Sequence, residues 1–223
     1  MDIMLGSRRR TRTALWQAVS EYVEQRRWPV TQGTYLVRDG RSTRCSCGRV
    51  GCAAPGMHPS DPQWSAHATN TPAAARYLWS QWPDSTVVLP TGHAFDAISV
   101  PRHAGQRALV RLERMGTPLG PVLGTPTGRL FFLVAPGAAP ELPHLLYQMG
   151  WDDAELDLRC HGAGDYIFAP PSPLGMLGTA EWIRPPADDE TTPLPEARLL
   201  LGTLAYACHR NSARTGSGMW LAS

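Results

Sequence analysis

Three short apolar runs, each breaking into a turn, constrain this chain more than anything else in it: FDAISVP from Phe95, TPTGRLFF from Thr125 and LDLRCHGAGDYIFAPPS from Leu156. Runs of this length, bounded by Gly, Pro and Thr, read as strands that enter a sheet and end in loops. Each carries one or two polar side chains aimed out of the sheet. Helical patterns alternate with them. Leu15, Ala18, Val19, Tyr22 and Val23 fall at helical spacing and predict a helix over 13–27, stopped by Trp28-Pro29. Thr71-Pro72 reads as the N-cap and first-turn proline of a second helix reaching Trp82, with Trp79 and Trp82 on one face as core. Further helices are expected over 104–115, 142–149 and 196–210. Strands are expected around Val30, at 34–37, 86–89, 95–100, 155–159 and 166–169, with a hairpin of 121–124 and 129–135 around Thr125-Pro126-Thr127-Gly128. Interleaved helices and mainly antiparallel strands predict an α+β fold.

The chain of 223 residues fits one good-sized domain, and its apolar fraction of 43% is ample for a core. The expected organisation is a basic flexible arm over 1–12, a main domain over 13–186, a proline-rich linker over 187–195 containing Asp188, Asp189 and Glu190, and a C-terminal helix and loose tail over 196–223. All 21 basic residues are arginine. That excludes Schiff-base lysine chemistry and the lysine of a phosphate-binding P-loop. A net charge of +2 and a pI of 8.4 are too mild to argue for nucleic-acid binding. The clustered Arg8, Arg9, Arg10 and Arg12 offer either a phosphate-contacting arm or a solvated terminus. No run reaches the roughly 18 apolar residues of a membrane span. The charges of MDIMLGSRRR follow its apolar residues, the reverse of a signal peptide. A cytoplasmic protein without membrane partners is expected, its five cysteines reduced or metal-bound.

Four residues of metal-ligand type crowd one loop, 45–59. Cys45, Cys47, Cys52 and His58 make a Cys₃His set, and the glycines and proline between them let the chain curl around one ion. Zinc takes four such ligands in a tetrahedron, and four protein ligands make a closed, structural site. The alternative is a loop of free thiols. Cys160 and Cys208 read as single buried thiols.

Taken in order, the three apolar runs resemble the three motifs of the bifunctional primase-polymerase N-terminal domain, a branch of the archaeo-eukaryotic primase superfamily. The resemblance covers most of the chain, from Ala14 to Pro186. It implies a central antiparallel sheet of the RNA-recognition-motif kind flanked by helices, and DNA-directed nucleotidyl transfer using Mg²⁺ or Mn²⁺ held by acidic side chains. The cysteine loop agrees with it, since such domains often carry a cysteine-rich insert ending in a GKHP-like tetrapeptide. Here Gly56-Met57-His58-Pro59 has lost the lysine.

The chain departs from the family at the positions that carry chemistry. The first motif needs two carboxylates one residue apart, because alternate strand residues share a face and grip one metal pair. Ser99 and Pro101 fall near those positions, and the nearby Asp96 lies an odd number of residues from Ser99, so it faces the other way. Asp96 is either a displaced metal ligand or a strand-edge aspartate bonded to backbone. In the second motif, Leu130 or Phe131 takes the place of the histidine that contacts triphosphate. Thr127, Gly128 and Arg129 remain as nucleotide or phosphate contacts, with Arg159 of the third motif as a fourth. The third motif is the best kept: Asp157 matches the third metal-binding acid, and Arg159 shares its face if both lie on one strand. Three readings follow. One is a catalytically impaired domain that still binds nucleotides or single-stranded DNA, beside a separate helicase or ATPase, in a replication, mobile-element or regulatory role. The second is an active enzyme rebuilt on Asp96, Asp157 and Asp165 or Glu155. The last is a zinc-stabilised protein-interaction module.

Overall fold

A computed structural model describes residues 2–40, 42–151, 154–187 and 193–217. The acidic trio Asp188, Asp189 and Glu190 lies outside the described residues, as does the tail beyond Ser217. Along the chain run α1 (Asp2–Ser20), a π-helical turn (Glu21–Gln25), β1 (Thr31–Gly33), β2 (Leu36–Asp39), β3 (Ser42–Cys45), α2 (Pro72–Gln81), β4 (Thr86–Pro90), β5 (Asp96–Pro101) and α3 (Arg102–Arg114). They continue with β6 (Val122–Gly124), β7 (Arg129–Val134), α4 (Ala138–Gln148), β8 (Arg159–His161), β9 (Tyr166–Phe168), β10 (Pro173–Leu174), β11 (Gly178–Thr179), β12 (Glu181–Arg184) and α5 (Ala197–Ser217). The fold is α+β with antiparallel sheets, as expected. Residues 13–186 are shared between two compact units, each discontinuous in sequence.

The first unit takes the chain up to Pro90, then Thr125–Thr127 and Tyr166–Glu181. Helix α1 buries Leu15 and Val19, and Tyr22 and Val23 continue the same stripe into the π-helical turn. It ends where Arg27 adopts the left-handed conformation (φ 55°) and the Trp28 N–H bonds back to the Tyr22 carbonyl at 2.9 Å, a Schellman-type stop. The helix begins at Asp2, not near Thr13, so the arginine run expected as a flexible arm is helical. Arg8 and Arg12, one turn apart, both reach the Asp84 carboxylate. Strand β1 pairs with β4, and β4 with β9, all antiparallel. The two strands expected around Val30 and 34–37 do not pair with each other. Gly33 lies against β4, where a Cβ would come 2.2 Å from Thr86 Oγ1, and the chain then turns. Beyond it β2 pairs instead with β3, a polar, exposed strand with no apolar alternation to announce it.

The second unit holds Thr91–Gly124, Gly128–Asp165 and the chain from Trp182 onward. Its sheet has the order β12-β6-β7-β5-β8. Ile98 and Val100 from β5, and Leu130, Phe132 and Val134 from β7, pack against Ala104, Ala108 and Leu112 of α3 and Leu200 and Leu204 of α5. Each of the larger side chains among them stabilises by about 1.5–3 kcal/mol on burial. One sheet face therefore belongs to helices. The residues between, Ala97 and Ser99 on β5 and Phe131 on β7, project from the other face. Helix α4 starts at Ala138, four residues before the expected Leu142, because the Asp96 carboxylate accepts its Ala139 N–H at 2.8 Å.

Candidate functional site

Two places gather chemistry. The first is the cysteine loop of the first unit. Strand β3 ends at the buried Cys45, and Gly48 and Gly51, both at positive φ, fold the chain back toward it. The Thr34 N–H and hydroxyl both donate to the His58 carbonyl, at 2.8 and 2.9 Å, and so fix the far end of the loop against β1. The ligand atoms of Cys45, Cys47, Cys52 and His58 all lie within 4.8 Å of one another. His58 Nε2 is 3.5 Å from Cys45 Sγ and 3.4 Å from Cys52 Sγ. Sulfur and nitrogen around one tetrahedral zinc sit about 3.6 Å apart, given bonds of roughly 2.3 and 2.1 Å. His58 Nδ1 lies 2.8 Å from the Pro59 carbonyl; donating there leaves the Nε2 lone pair facing the thiols. Burial raises the Cys45 thiol, yet the N–H groups of Cys47 and Gly56 outweigh it and bring the thiol down to about 6. Burial pushes Cys52 up, and the neighbouring thiols add to that. All four expected ligands converge, and the donor set fits zinc.

The second place is the face of the second unit's sheet opposite its core helices, where Ser99 is buried. Ser99 is central on β5, and its hydroxyl lies 3.0 Å from His161 Nε2. His161 Nδ1 lies 3.3 Å from Asp165 Oδ2. Burial lowers the His161 pKa, with Asp165 pulling the other way. Arg129 reaches the same serine: Nη2 donates to the Ser99 carbonyl at 3.0 Å and to its Oγ at 3.3 Å, while Nη1 donates to Asp157 Oδ1 at 2.6 Å. One guanidinium thus ties the first-motif strand to the third-motif acid. Arg159 pairs with Asp165 at 2.9 Å.

The expected site residues divide accordingly. Asp96 is buried on the helix side of β5, as the parity argument required, and caps α4; its second oxygen has no hydrogen-bond partner among the described residues. Asp157 is not on a strand. The stretch expected over 155–159 begins as β8 only at Arg159, because Asp157 sits in a bend and leans to Arg129, so it does not pair with Arg159 along a strand face. Thr127 Oγ1 bonds Thr125 Oγ1 at 2.7 Å in the first unit, and the Gly128 carbonyl accepts the Arg102 N–H at 2.7 Å in the second. Among the described residues, the cysteine loop is the one group of three or more His, Cys, Asp or Glu close enough to share a metal ion. Asp96, Asp157, Asp165 and Glu155 do not form a second. His161 escaped the sequence reading, although a period of two from Arg159 along β8 places both on one strand. Cys208 is a buried thiol as expected, whereas Cys160 is only half-buried; desolvation pushes Cys160 up to about 12 and Cys208 to about 11.

The model of one protein family, described as the bifunctional DNA primase/polymerase N-terminal domain, matches residues 19–197. No curated protein and no solved structure matches the chain. Among the described residues no helix is long and apolar enough to cross a membrane.

Proposed function

The chain belongs to the bifunctional DNA primase/polymerase N-terminal family, and from that premise we propose that it keeps the family's nucleotide- and nucleic-acid-binding role while having lost nucleotidyl transfer. The observation that carries this reading is Arg129. Its guanidinium bridges Asp157 and Ser99, a link between the first-motif strand and the third-motif acid of the kind a divalent ion makes in the family. A fixed arginine neutralises charge but cannot bind and acidify a primer 3′-hydroxyl. The two-ion chemistry needs carboxylates that converge, and here Asp96 faces helices while Asp157 is already paired. The residues present do not fit a Mg²⁺ or Mn²⁺ pair.

The same residues suit a triphosphate. Arg129 and Arg159 can exchange their carboxylate partners for phosphate oxygens in bidentate contacts, with the Ser99–His161 pair behind them as a neutral platform. The zinc loop holds the first unit together and takes no part in chemistry, since its four protein ligands close the site. A protein of this kind acts beside a separate helicase or ATPase, on single-stranded DNA, in a replication-associated, mobile-element or regulatory setting.

The test is binding of a fluorescent nucleoside triphosphate with and without Mn²⁺. Micromolar binding that needs no Mn²⁺ and weakens about tenfold or more in Arg129→Ala/Arg159→Ala supports the reading, at roughly 1.4 kcal/mol per factor of ten. Binding that requires Mn²⁺ and disappears in Asp157→Ala contradicts it.

A further inference from the structure

The arginine run of α1 has no part in the reading above, and helix formation turns it into a surface. Arg8 and Arg12 share Asp84. Arg9 and Arg10 are exposed, and Arg9 stands one turn before Thr13 and two before Trp16. Thr13 and Trp16 line a groove of 350 Å³ together with Arg12, Arg76 and Trp79, the last two from α2. The Arg76 guanidinium lies over the Trp16 ring, 5.7 Å from its centre. Beside Arg76, Tyr77 is 65% exposed.

Charge singles this surface out. Helices α1 and α2 hold five arginines against one acid of their own, Asp2, and with Asp84, which Arg8 and Arg12 share, the balance is +3, while the whole chain balances at +2. The rest of the molecule is therefore net negative by one. On the Ser99 face, by contrast, Arg129 and Arg159 are each matched by a carboxylate.

We propose that the α1–α2 groove, with the exposed arginines beside it, is a binding surface for single-stranded nucleic acid, separate from the Ser99 face. Guanidinium groups take phosphate oxygens bidentately. An arginine stacked on an indole marks a ring face that an unpaired base can share, and an exposed tyrosine supplies a second. An acidic peptide would satisfy the arginines but offer nothing to these rings. A duplex keeps its base faces stacked and out of reach. The inference does not depend on the Ser99 face binding nucleotides.

Fluorescence anisotropy of a labelled single strand of about 20 nucleotides, titrated with full-length protein at several salt concentrations, tests it. Arg9→Glu/Arg10→Glu/Arg76→Glu leaves the Asp84 pairs intact, so it folds with an unchanged thermal midpoint. Its affinity falls about tenfold or more, and its log–log salt slope becomes shallower by roughly 2, at about 0.7 for each phosphate that the protein no longer neutralises. Tyr77→Ala weakens binding by about fivefold, the value of one stacked base. Arg129→Ala/Arg159→Ala binds the strand within about twofold of wild type while its triphosphate affinity falls about tenfold or more. Wild-type affinity in the triple variant, absence of binding at low salt, or equal preference for duplex overturns the proposal. So does loss of the strand only in the Arg129/Arg159 variant, an outcome that would leave the reading of the Ser99 face standing.

Discussion

The cysteine loop and the Ser99 face are both sets of metal-capable side chains inherited with one family fold, yet they differ in what each donor already touches. In the loop, three thiols and an imidazole lie close to one another, and His58 has its second nitrogen committed to Pro59. That arrangement is the kind that can hold an ion. On the Ser99 face the carboxylates have protein cations as partners: Asp157 has Arg129 and Asp165 has Arg159. A compact set of thiols and imidazole is open to an ion, whereas carboxylates that lie apart and are each already paired with an arginine are not.

The largest effect should come from the loop. Chelating zinc, or Cys45→Ser, is expected to cost several kcal/mol, about 5 or more, because binding of a structural ion is folding free energy. Elemental analysis should find one zinc per chain, and thermal unfolding should drop sharply without it; a zinc-free protein with an unchanged midpoint breaks the comparison at its firmer end. Leu112→Ala, fully buried in the other unit's core, is expected to lose about 2–5 kcal/mol in denaturant melts while the zinc content stays at wild type. Zinc lost in that variant would mean the loop is not self-contained.

Asp96→Ala sharpens the other side. If this aspartate caps α4 and ligates nothing, its removal costs about 0.5–2 kcal/mol of stability and leaves triphosphate affinity unchanged. A matching loss of triphosphate binding would return Asp96 to the site. The smallest effect is a pH dependence. Burial holds the His161 pKa below the ordinary value of 6.5, so the unfolded chain binds its proton more readily. This contribution is complete above about pH 6.5 and fades as pH falls below it. The thermal midpoint of wild type should therefore decline more steeply than that of His161→Gln on acidification, and parallel curves would show that His161 is not neutral in the fold.

Much of this was legible in the chain. The helix stripes of Leu15 to Val23 and Ala108 to Leu112 lie where their spacing put them, and so does the β6–β7 hairpin around Thr125–Gly128, because burial of one face leaves a period in the sequence. The four loop ligands were legible for a different reason: their chemistry is local. What stayed hidden depends on partners distant in sequence. Nothing near Ala138 says that Asp96, 43 residues away by hydrogen bond, will start a helix there. Strand β3 is polar and exposed and so carries no pattern. Asp157 read as a strand residue beside Arg159, and the pull that takes it off the strand comes from Arg129, on another element. The opposite facing of Asp96 and Ser99 was legible because it depends only on the alternation of one strand.

The measurement that tests the central claim most directly is template-dependent extension of a labelled primer by zinc-loaded protein in Mg²⁺ or Mn²⁺, with Asp157→Ala beside it. If Arg129 stands in place of the catalytic cation, wild type and variant show the same background, with no extension by either ion. Extension by wild type that vanishes in Asp157→Ala would contradict this, and would mean that Arg129 yields the carboxylate to metal when primer and nucleotide are bound.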